Sequence, residues 1–444
     1  MNNKVKKLSI VGALVATSSV AHGASFQLLE QSPAQLGKAF AGTASDITDA
    51  TTVFFNPAGM SKLNATSVAV GFNVVSTDAT FNDNGSTFSG GDGTTEEFGF
   101  IPNLYAAIPL TETLAVGVGI SAPFGLASRF DEEWAGRYSA TDSELEVVNF
   151  NVTTSWAPND KFAIGLGLNY QTVEATLENQ VDSTLGVLPA TATDSSAKIK
   201  GDDDGFVLDA SVLITPSENT SIGLLWREGG DYKLQGDASF DLNAACAPGA
   251  GYPTGAPPAP TTGTLCAGAL GALAGDIEAE VELPDTLTLS LSQRFTPAFA
   301  MHLDVSQTDW SSIKTVAVVK ADNGAPVDAL NLQYGDTTRY ALGATLGVPG
   351  QFNWRFGVAQ DETPQDNPEF VSARIPDADR TWLAAGFHWP LSNSMSVDVS
   401  YAYLMVDDAE LHESEVTPVG SSAVLSGSFD SSVNILAAQF NWKF

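Results

Sequence analysis

Histidine, serine and acidic side chains are the residues of this chain that could break bonds. The chain has 4 histidines, of which His302, His388 and His412 lie beyond the N-terminal leader. An ester hydrolase needs a histidine placed between a nucleophilic serine and an acid. No such spacing stands out here, although a triad cannot be recognised from sequence separation alone. We therefore predict no catalytic residues, and a histidine-dependent lipid hydrolase remains an alternative.

Two short acidic runs, residues 82–85 and 202–205, resemble the start of a calcium-binding loop. Neither run has the glutamate that completes such a loop, so both are interpreted as solvated loop carboxylates. We also find no nucleotide-binding motif. The sequence therefore predicts no metal site and no cofactor.

The two cysteines, Cys246 and Cys266, lie in one stretch that is rich in Pro, Gly and Ala. The environment of an exported protein permits a disulfide. Closing a loop of this size would stabilise the folded state by about 3 kcal/mol in the chain-entropy model. We predict a Cys246–Cys266 disulfide, because two cysteines alone do not indicate a metal site.

Residues 1–23 have the features of a secretory signal. Three lysines among the first seven residues form a basic head, residues 8–16 form a short apolar core, and small residues precede Ala24. The apolar core is too short to cross a bilayer as a helix. We predict cleavage before Ala24, with a retained membrane anchor as the alternative.

The last fourteen residues have the pattern of a β-strand with one apolar face. Side chains alternate between the two faces of a strand. One face here carries Leu436, Ala438, Phe440, Trp442 and Phe444. A soluble protein rarely exposes three aromatic side chains together, whereas a strand of a membrane barrel needs an apolar, aromatic-rimmed lipid face. An edge strand of an ordinary β-sandwich is the alternative.

Short turns rich in Pro, Asn, Asp and Gly divide the rest of the chain into alternating segments. There are six, at residues 110–113, 157–160, 215–219, 295–298, 348–351 and 389–394. Six turns join twelve strands. A strand near residues 65–77 and the C-terminal strand bring the total to fourteen, an even number as in bacterial barrels. The longer connections between strands, such as residues 78–101 and 407–430, would face outward. We predict an all-β membrane protein, a 14-stranded antiparallel transmembrane β-barrel over residues 65–444, in a bacterial outer membrane.

The mature chain is strongly acidic. Removing three lysines with the leader leaves 17 of the 20 Lys and Arg against 52 Asp and Glu, a formal net charge of −35 (17 − 52). Nucleic-acid binding needs basic patches, so we predict no nucleic-acid partner. Acidic outer loops that bridge to lipopolysaccharide through divalent cations would explain the charge, and adaptation to high salt is the alternative.

Residues 24–64 do not alternate and are predicted to form a small, partly helical plug in the barrel lumen, called the hatch below. Ser32 and Pro33 have the types expected at a helix start, Gly42 is placed to end that helix, and a second start lies at Asn56. In a barrel of eight strands, side chains fill the lumen, whereas a porin of sixteen strands encloses a water-filled channel. A barrel of fourteen strands encloses an intermediate space. A plug or binding cavity is therefore expected, with an unpacked periplasmic tail as the alternative.

Eight short motifs follow one another along the mature chain. They are Ala24–Glu30, Leu36–Gly42, Asp49–Ala50, Asn56–Ala58, Ser121–Ala127, Leu283–Asp285, Thr308–Ser311 and Ile375–Arg380. In this order, and with a C-terminal Phe, the chain resembles the FadL family over its whole mature length. These are outer-membrane transporters of long-chain fatty acids and related hydrophobic compounds, including aromatic hydrocarbons.

The resemblance implies a 14-stranded barrel with an N-terminal hatch, in agreement with the strand count, and passive uptake without a cofactor. It also implies that Phe26 and Leu28 contact ligand in the lumen and that Asn56, Pro57 and Ala58 form the hatch motif. The partners expected are a hydrophobic small molecule, either a fatty acid or a hydrocarbon, and outer-membrane lipid. We expect a monomer.

Family members release ligand sideways through a gap at a kinked third strand. The resemblance puts this lateral opening at Ala122, Pro123, Phe124 and Gly125. The residue types agree with a gap, because proline cannot donate a ladder hydrogen bond and glycine permits unusual dihedrals. An ordinary β-bulge is the alternative.

The sequence leaves the ligand open. Some members that bind fatty acids hold the carboxylate with basic side chains, but residues 170–178 contain two glutamates and no Lys or Arg. Lys233, Lys314 and Lys320 remain candidates, and a neutral hydrophobe gains support. A general diffusion porin is the alternative transport function, and a porin should lack a hatch.

Overall fold

The structure is a computed structural model that describes residues 25–87, 90, 93–183, 194–250, 261–365, 367–416 and 422–444. The predicted leader, residues 1–23, lies outside the described residues, as does part of the loop that holds the two cysteines. Among the residues described, no helix has both the length and the apolar character needed to cross a membrane.

The described residues form fourteen antiparallel strands in a single sheet. Nine strands are continuous: β1 Ser67–Asp83, β2 Thr94–Pro109, β3 Leu114–Arg129, β4 Asp142–Asn159, β5 Phe162–Asp182, β6 Asp194–Ser217, β11 Asn353–Asp361, β12 Arg380–Pro390 and β14 Ser422–Lys443. Five have two segments: β7 Thr220–Arg227 and Gly230–Asp241, β8 Gly275–Leu283 and Thr286–Thr296, β9 Phe299–Thr308 and Thr315–Lys320, β10 Pro326–Asn331 and Thr337–Leu346, and β13 Met395–Val406 and Ala409–Val416.

The sheet closes on itself because β1 pairs with β2 on one side and with β14 on the other. The β1–β14 ladder runs without a break from the Ser67–Lys443 pair to the Asp83–Gly427 pair. In lipid no water can hydrogen-bond an exposed backbone edge, so a spanning sheet must close. The predicted 14-stranded antiparallel β-barrel is confirmed.

All six predicted short turns connect neighbouring strands at one end of the barrel. Some connections at the other end are shorter than predicted, whereas the one between β7 and β8 runs from Asp241 to Gly275 as expected. β1 continues to Asp83 and β2 begins at Thr94, where the sequence predicted a connection over residues 78–101. The polar side chains of this region concealed the strands, because ladder hydrogen bonds join backbone groups whatever the side chains are.

The C-terminal strand has the two faces that its alternation predicts. Leu436 and Trp442 are 56% and 45% exposed on the outer surface of the barrel, whereas Ile435 and Ala437, on either side of Leu436, are fully buried. The apolar side chains therefore face the lipid and the alternate side chains face the lumen.

The hatch contains short helices, and further helices lie in the loop between β7 and β8 and between the two segments of β9. Those described are α1 Pro33–Leu36, α2 Thr52–Phe55, α3 Thr262–Leu273 and the 3-10 helices Pro57–Lys62, Ala244–Cys246 and Trp310–Ser312. Ser32 caps α1 by accepting a hydrogen bond from the backbone N–H of Gln35. The predicted helix end at Gly42 is wrong. Ala39 and Phe40 have φ values of 48° and 58°, which take the chain out of the helix soon after Leu36.

Residues 25–64 lie inside the barrel, and their backbone approaches the wall closely. A Cβ atom on Gly223 of β7 would stand 1.9 Å from the carbonyl oxygen of Ala44, and one on Gly165 of β5 would stand 2.3 Å from the backbone nitrogen of Ala58. Only glycine leaves room for such contacts between two backbones.

Three arginines on the inner wall also bind the hatch backbone. Arg355 donates a hydrogen bond to the carbonyl oxygen of Ala34 (3.0 Å), Arg339 donates to Ala39 (2.7 Å) and Arg227 donates to Phe54. The hatch is thus held by strands on several sides of the barrel, and not at one point only.

The predicted disulfide between Cys246 and Cys266 is present, with the two Cα atoms 5.2 Å apart. It joins the 3-10 helix Ala244–Cys246 to α3 in the loop between β7 and β8.

Candidate functional site

The barrel wall contains a seam between β2 and β3. The ladder joining these strands runs from the Pro109–Ala115 pair only as far as the Leu104–Ile120 pair. Beyond that pair, residues 94–103 of β2 have a described strand partner only in β1. On the other side, the β3–β4 ladder changes register between Ser121 and Phe124. The seam, residues 95–103 of β2 facing residues 121–129 of β3, therefore lacks the backbone ladder that closes the rest of the wall. At its outer end Arg129 still bonds across it, from its N–H to the Thr95 hydroxyl (3.3 Å) and from its guanidinium group to Glu97 (3.2 Å).

The first described residues of the chain fill this seam from the lumen. Gln27 forms an antiparallel bridge with Phe124. On either side of it, the N–H of Leu28 donates to the carbonyl of Pro123 (2.8 Å), and the N–H of Gly125 donates to the carbonyl of Phe26 (2.9 Å). Residues 26–28 thus take the place of the missing strand along this part of β3.

The side chain of Gln31 continues this role one step further along β3. Its amide group donates to the carbonyl oxygen of Ala122 (2.5 Å) and accepts from the N–H of Ala122 (3.1 Å). Both backbone groups of Ala122 are therefore paired without a second strand, which removes the cost of leaving them buried and unsatisfied.

Phe26 packs in an apolar cluster that fills the lumen between the hatch and the outer end of the barrel. Its ring lies edge-on to Trp310, with the ring centroids 4.8 Å apart, and 6.2 Å from Phe124. Trp310 in turn packs edge-on against Tyr334. Next to Phe26, the buried Ser25 donates from its N–H to Asp377. The start of the described chain is therefore an integral part of the lumen packing.

A cavity of about 60 Å³ lies behind this segment, between the hatch and the inner wall. Its apolar lining includes Leu28, Leu29, Phe40, Phe54 and Phe124, and its charged lining includes Arg227, Glu228, Arg339, Asp304 and Asp361. Sites that bind small molecules usually have volumes of about 300–1,000 Å³. A ligand the size of a fatty acid therefore does not fit here unless lining residues move.

The two arginines of this cavity were not predicted from the sequence. The guanidinium group of Arg227 lies 3.6 Å from the centroid of the Phe54 ring. Arg339 is buried, and its Nε has no hydrogen-bond partner within the described chain. The sequence did contain a signal that could have identified them, because each arginine occupies an inward position of an alternating strand. None of the three lysines considered above lines the cavity, and Lys233 instead pairs with Glu278 on the outer surface.

Glu30 is the buried acid of the same segment. Its side chain is fully buried, and neither carboxyl oxygen has a hydrogen-bond partner in the part of the chain that the structure describes. Burial raises the pKa of Glu30 to about 7, while its own backbone amide, Arg339 and Arg380 act in the opposite direction. The group is therefore on the boundary between its neutral and charged forms near neutral pH.

The predicted hatch motif is remote from the seam. Asn56 donates from its side chain to the carbonyl oxygens of Ala44 (2.5 Å) and Val212 (3.2 Å), and it accepts from the N–H of Ala58 (3.1 Å). Ala58 also accepts from Ser155 (2.8 Å). These residues, with Pro57 between them at the start of the 3-10 helix, fasten the hatch to the wall rather than line the cavity.

A second, larger cavity of about 390 Å³ lies at the outer end of the barrel. Its apolar lining includes Ile199, Phe240, Leu273, Val327 and Leu330, and Arg374 and Asn179 are among its polar residues. The apolar cluster around Phe26 separates it from the small cavity.

The histidines on the inner wall belong to structural networks. His302 shares hydrogen bonds with Ser292 (2.9 Å) and Thr345 (3.0 Å), and the Nδ1 atom of His388 lies 2.9 Å from Asp398. Within the described residues, no three His, Cys, Asp or Glu side chains are grouped so that they could hold a metal ion.

Comparison with known proteins gives a consistent result. Residues 13–444 match the family described as outer membrane protein transport protein (OMPP1/FadL/TodX). The chain is 28% identical over 432 residues to the long-chain fatty acid transport protein of Escherichia coli K12, covering 91% of this chain and 93% of that one. It is 27% identical over 444 residues to outer membrane protein P1 of Haemophilus influenzae, covering 95% and 94%.

Solved structures share the fold. A Pseudomonas aeruginosa FadL homologue superposes with a TM-score of 0.83 at 20% identity, covering 95% of this chain and all of that one. The Pseudomonas putida toluene transporter TodX superposes with a TM-score of 0.68 at 16% identity, covering 94% and 99%.

Proposed function

The chain belongs to the OMPP1/FadL/TodX family of outer membrane transport proteins, and on that premise we propose how it moves its hydrophobic cargo. Ligand collects in the outer cavity, binds in the lumen behind Phe26 and Leu28, and leaves sideways through the seam into the outer leaflet. The observation that carries the proposal is the seam itself, which lies beside the cavity and is filled by residues 26–31.

The first step uses the cavity at the outer end of the barrel. Phe240 and Leu273, which adjoin the disulfide-bonded loop, contribute to its apolar lining. Burying a hydrocarbon chain there is favourable by about 0.8 kcal/mol for each CH₂ group. No energy-coupling cofactor is needed for such downhill binding.

The second step replaces protein side chains by ligand. Phe26 and its aromatic neighbours occupy the apolar space between the two cavities, and the small cavity is too small for a long chain. We propose that ligand displaces residues 25–31 and takes over their apolar contacts. The same movement removes Gln27 and Gln31 from β3, so binding and opening of the seam occur together.

The third step is lateral because the hatch obstructs the direct route to the periplasm. Its backbone is in contact with glycines of the wall and is held by Arg227, Arg339 and Arg355. Moving residues 25–31 disturbs few of these contacts, whereas expelling the whole hatch breaks all of them. Sideways release also keeps an apolar ligand away from water.

We propose a carboxylate-bearing hydrophobe, such as a long-chain fatty acid, as the ligand. Arg227 and Arg339 face the cavity, and guanidinium groups bind carboxylates through charge-assisted hydrogen bonds. The Escherichia coli relative is named as a long-chain fatty acid transport protein. A neutral hydrocarbon would offer no acceptor to the Nε of Arg339, which has no hydrogen-bond partner within the described chain.

The remaining expectations are also proposals. We propose that residues 1–23 are removed, that residues 24–64 are the hatch and residues 65–444 the barrel, and that the protein is a monomer whose acidic outer surface bridges to lipopolysaccharide through divalent cations. A water-filled porin is disfavoured because the hatch occupies the bore. N-terminal sequencing of the exported protein tests the cleavage site.

Covalent closure of the seam tests the lateral route. Gln27 and Phe124 are a non-hydrogen-bonded pair of the antiparallel bridge. The Cα atoms of such pairs are about 4.5 Å apart, a distance that a disulfide can span. We expect the Gln27→Cys/Phe124→Cys variant to lose at least about tenfold of its oleate uptake in cells that lack their own transporter, and to regain it when reduced.

Each single-cysteine variant, and the wild type with and without reductant, provides the control. The wild-type control is necessary because reductant also opens the Cys246–Cys266 disulfide. Oleate uptake at the wild-type rate by the oxidised double variant would rule out the seam as the exit.

A further inference from the structure

We propose that the seam is a window closed at both ends, and that Arg129 at its outer end limits exit to one extended hydrocarbon chain at a time. The inference rests on the proposed function, because it takes the seam to be the exit. It adds a residue that determines the size of what leaves, since a seam without Arg129 would open from its outer end as a slot.

The two strands that border the seam are joined at both of its ends. At the inner end, the ladder between β2 and β3 finishes with the Leu104–Ile120 pair. At the outer end, Arg129 donates from its backbone N–H to the Thr95 hydroxyl (3.3 Å) and from its guanidinium group to Glu97 (3.2 Å). Between these ends, the beginning of the hatch supplies the hydrogen bonds described on this side of β3.

Arg129 is also held on its own side of the seam. Its Nε donates to Asp142 (3.1 Å), which is its partner in the ladder between β3 and β4. The guanidinium group is therefore anchored to β4 while a separate N–H group reaches across to β2. The side chain of Glu97 is only 12% exposed, so the ion pair across the seam is screened by water less than a fully exposed pair would be.

The loop that follows β3 crosses over the outer end of the seam. Its Trp134 lies against Gly93, immediately before β2, where a Cβ atom would stand 2.3 Å from the indole ring. Trp134 also packs edge-on against Phe81 of β1, with ring centroids 5.5 Å apart, and Phe130 lies 5.9 Å from Phe429 of β14. β3 is thus fixed to strands on the far side of β2, and the outer end of the seam separates only if this packing breaks.

The two closed ends give the window a length and a width. Thr95 and Leu104 are nine residues apart (104 − 95), so the window is about 30 Å long. One acyl chain spans about half of the roughly 30 Å hydrocarbon core of a bilayer, so an extended chain fits lengthwise. The strands are about 5 Å apart at the paired inner end, and Arg129 holds them together at the outer end, so the gap widens only as far as β2 and β3 can bow.

A window of this shape suits an exit that opens toward lipid. A single flexible chain can lie along the strands and slide out, whereas a rigid ring system or a lipid with several chains on one head group is too wide. The frame therefore lets a fatty acid leave and keeps the lipids of the surrounding leaflet out of the lumen.

Cross-linking the outer end tests whether the frame stays closed during transport. In Glu97→Cys/Arg129→Cys, a short bis-maleimide joins β2 to β3 at the place of the ion pair. In cells that lack their own transporter, we expect the cross-linked protein to take up oleate within about twofold of the wild-type rate, because no opening of this end is needed. Each single-cysteine variant with the same reagent is the control, and mass spectrometry measures the extent of cross-linking.

Removing Arg129 tests the size limit. Arg129→Ala deletes the ion pair across the seam, whereas Asp142→Ala deletes only the ion pair on the β4 side. The two probes are palmitate and a fatty acid of the same chain length that ends in a pyrene ring system. The uptake ratio of pyrenyl acid to palmitate should rise at least about threefold in Arg129→Ala and stay at the wild-type value in Asp142→Ala. If Arg129→Ala fails to fold, the cross-linked protein still decides the question.

Two results would overturn the inference and leave the lateral route standing. They are a loss of most oleate uptake on cross-linking, which would show that the seam opens from its outer end, and an unchanged uptake ratio in folded Arg129→Ala. Normal uptake by oxidised Gln27→Cys/Phe124→Cys would instead overturn the proposed function, and this inference with it.

Discussion

Arg227 and Arg339 are the residues whose chemistry bears most directly on the choice of ligand. An arginine has five N–H donors, and each of these two uses a donor on a carbonyl oxygen of the hatch. Both side chains line the cavity, and the Nε of Arg339 lies 3.9 Å from Asp361 without a hydrogen-bond partner in the described chain. A ligand carboxylate would supply the missing acceptor.

Neutralising either arginine should therefore weaken binding of an acid more than binding of an alcohol. Hydrogen bonds to charged groups contribute about 1.5–3 kcal/mol. We expect Arg339→Gln and Arg227→Gln each to weaken decanoate binding by about 10- to 100-fold and to leave decanol binding nearly unchanged, as measured by titration calorimetry.

Arg294→Gln is the matched control for these variants. Arg294 is a partly buried arginine near the short turns that bonds to the carbonyl of Pro297 and does not line the small cavity. It should bind both probes as the wild type does. Equal losses for decanoate and decanol in Arg339→Gln would indicate that the arginine acts only by holding the hatch.

Two elements determine where the wall is weak, namely β3 and the segment that precedes α1. Pro123 and the shift of register around it prevent β3 from continuing a regular ladder, and residues 26–28 supply hydrogen bonds in its place. An edge that is closed by a short, separate segment can reopen without disturbing the other strands. This is a physical reason for a seam at β3 rather than elsewhere in the barrel.

The fit of the hatch against glycines gives a prediction for this element. In Gly223→Ala the new Cβ would lie 1.9 Å from the Ala44 carbonyl oxygen, a backbone atom that cannot move aside easily. We expect a barrel that still closes around a displaced hatch, with an overpacking cost of about 1–3 kcal/mol. Planar-bilayer recordings should show an ion current that the wild type lacks.

Gly201→Ala of β6 is the comparison. Its new Cβ would come no closer than 3.3 Å to another atom, the Cβ of Leu234. This variant should remain as impermeable to ions as the wild type. An impermeable Gly223→Ala would show that the hatch tolerates the extra methyl group and is held less tightly than the contacts indicate.

At the scale of the whole molecule, the protein can span a lipid bilayer only because its sheet is closed. β14 pairs with both β1 and β13, so its loss would create two unpaired edges at once. Each unsatisfied backbone group in the bilayer core costs several kcal/mol. No packing in the lumen could offset a whole row of them.

Truncation after Ser432 should therefore abolish assembly, since it removes the second half of β14, which carries most of the apolar side chains that this strand turns toward the lipid. We expect no protease-resistant, membrane-integrated protein from that variant. Deleting Phe444 alone removes one backbone hydrogen bond, to Thr66, and should leave a closed barrel once the chain has folded. Recovery of the truncated chain as a folded, membrane-integrated barrel would contradict this account.

The sequence by itself determined the barrel and its strand count. Alternation with a period of two is imposed by strand geometry, and Pro, Asn, Asp and Gly mark the turns because of their own backbone preferences. The disulfide was equally readable, since the chain contains only two cysteines. Strand lengths were less certain, because polar residues beyond the lipid give no alternating signal.

Only the tertiary structure decided which residues share the lumen. Ala39 and Arg339 are 300 positions apart, and Arg339 and Asp361 lie on different strands. They meet only because closure of the barrel fixes which inward positions face the hatch. The same holds for the seam, where Gln31 pairs with Ala122 across 91 positions. Local periodicity assigns a side chain to the inner or outer face of a strand, but it contains no information on what lies opposite.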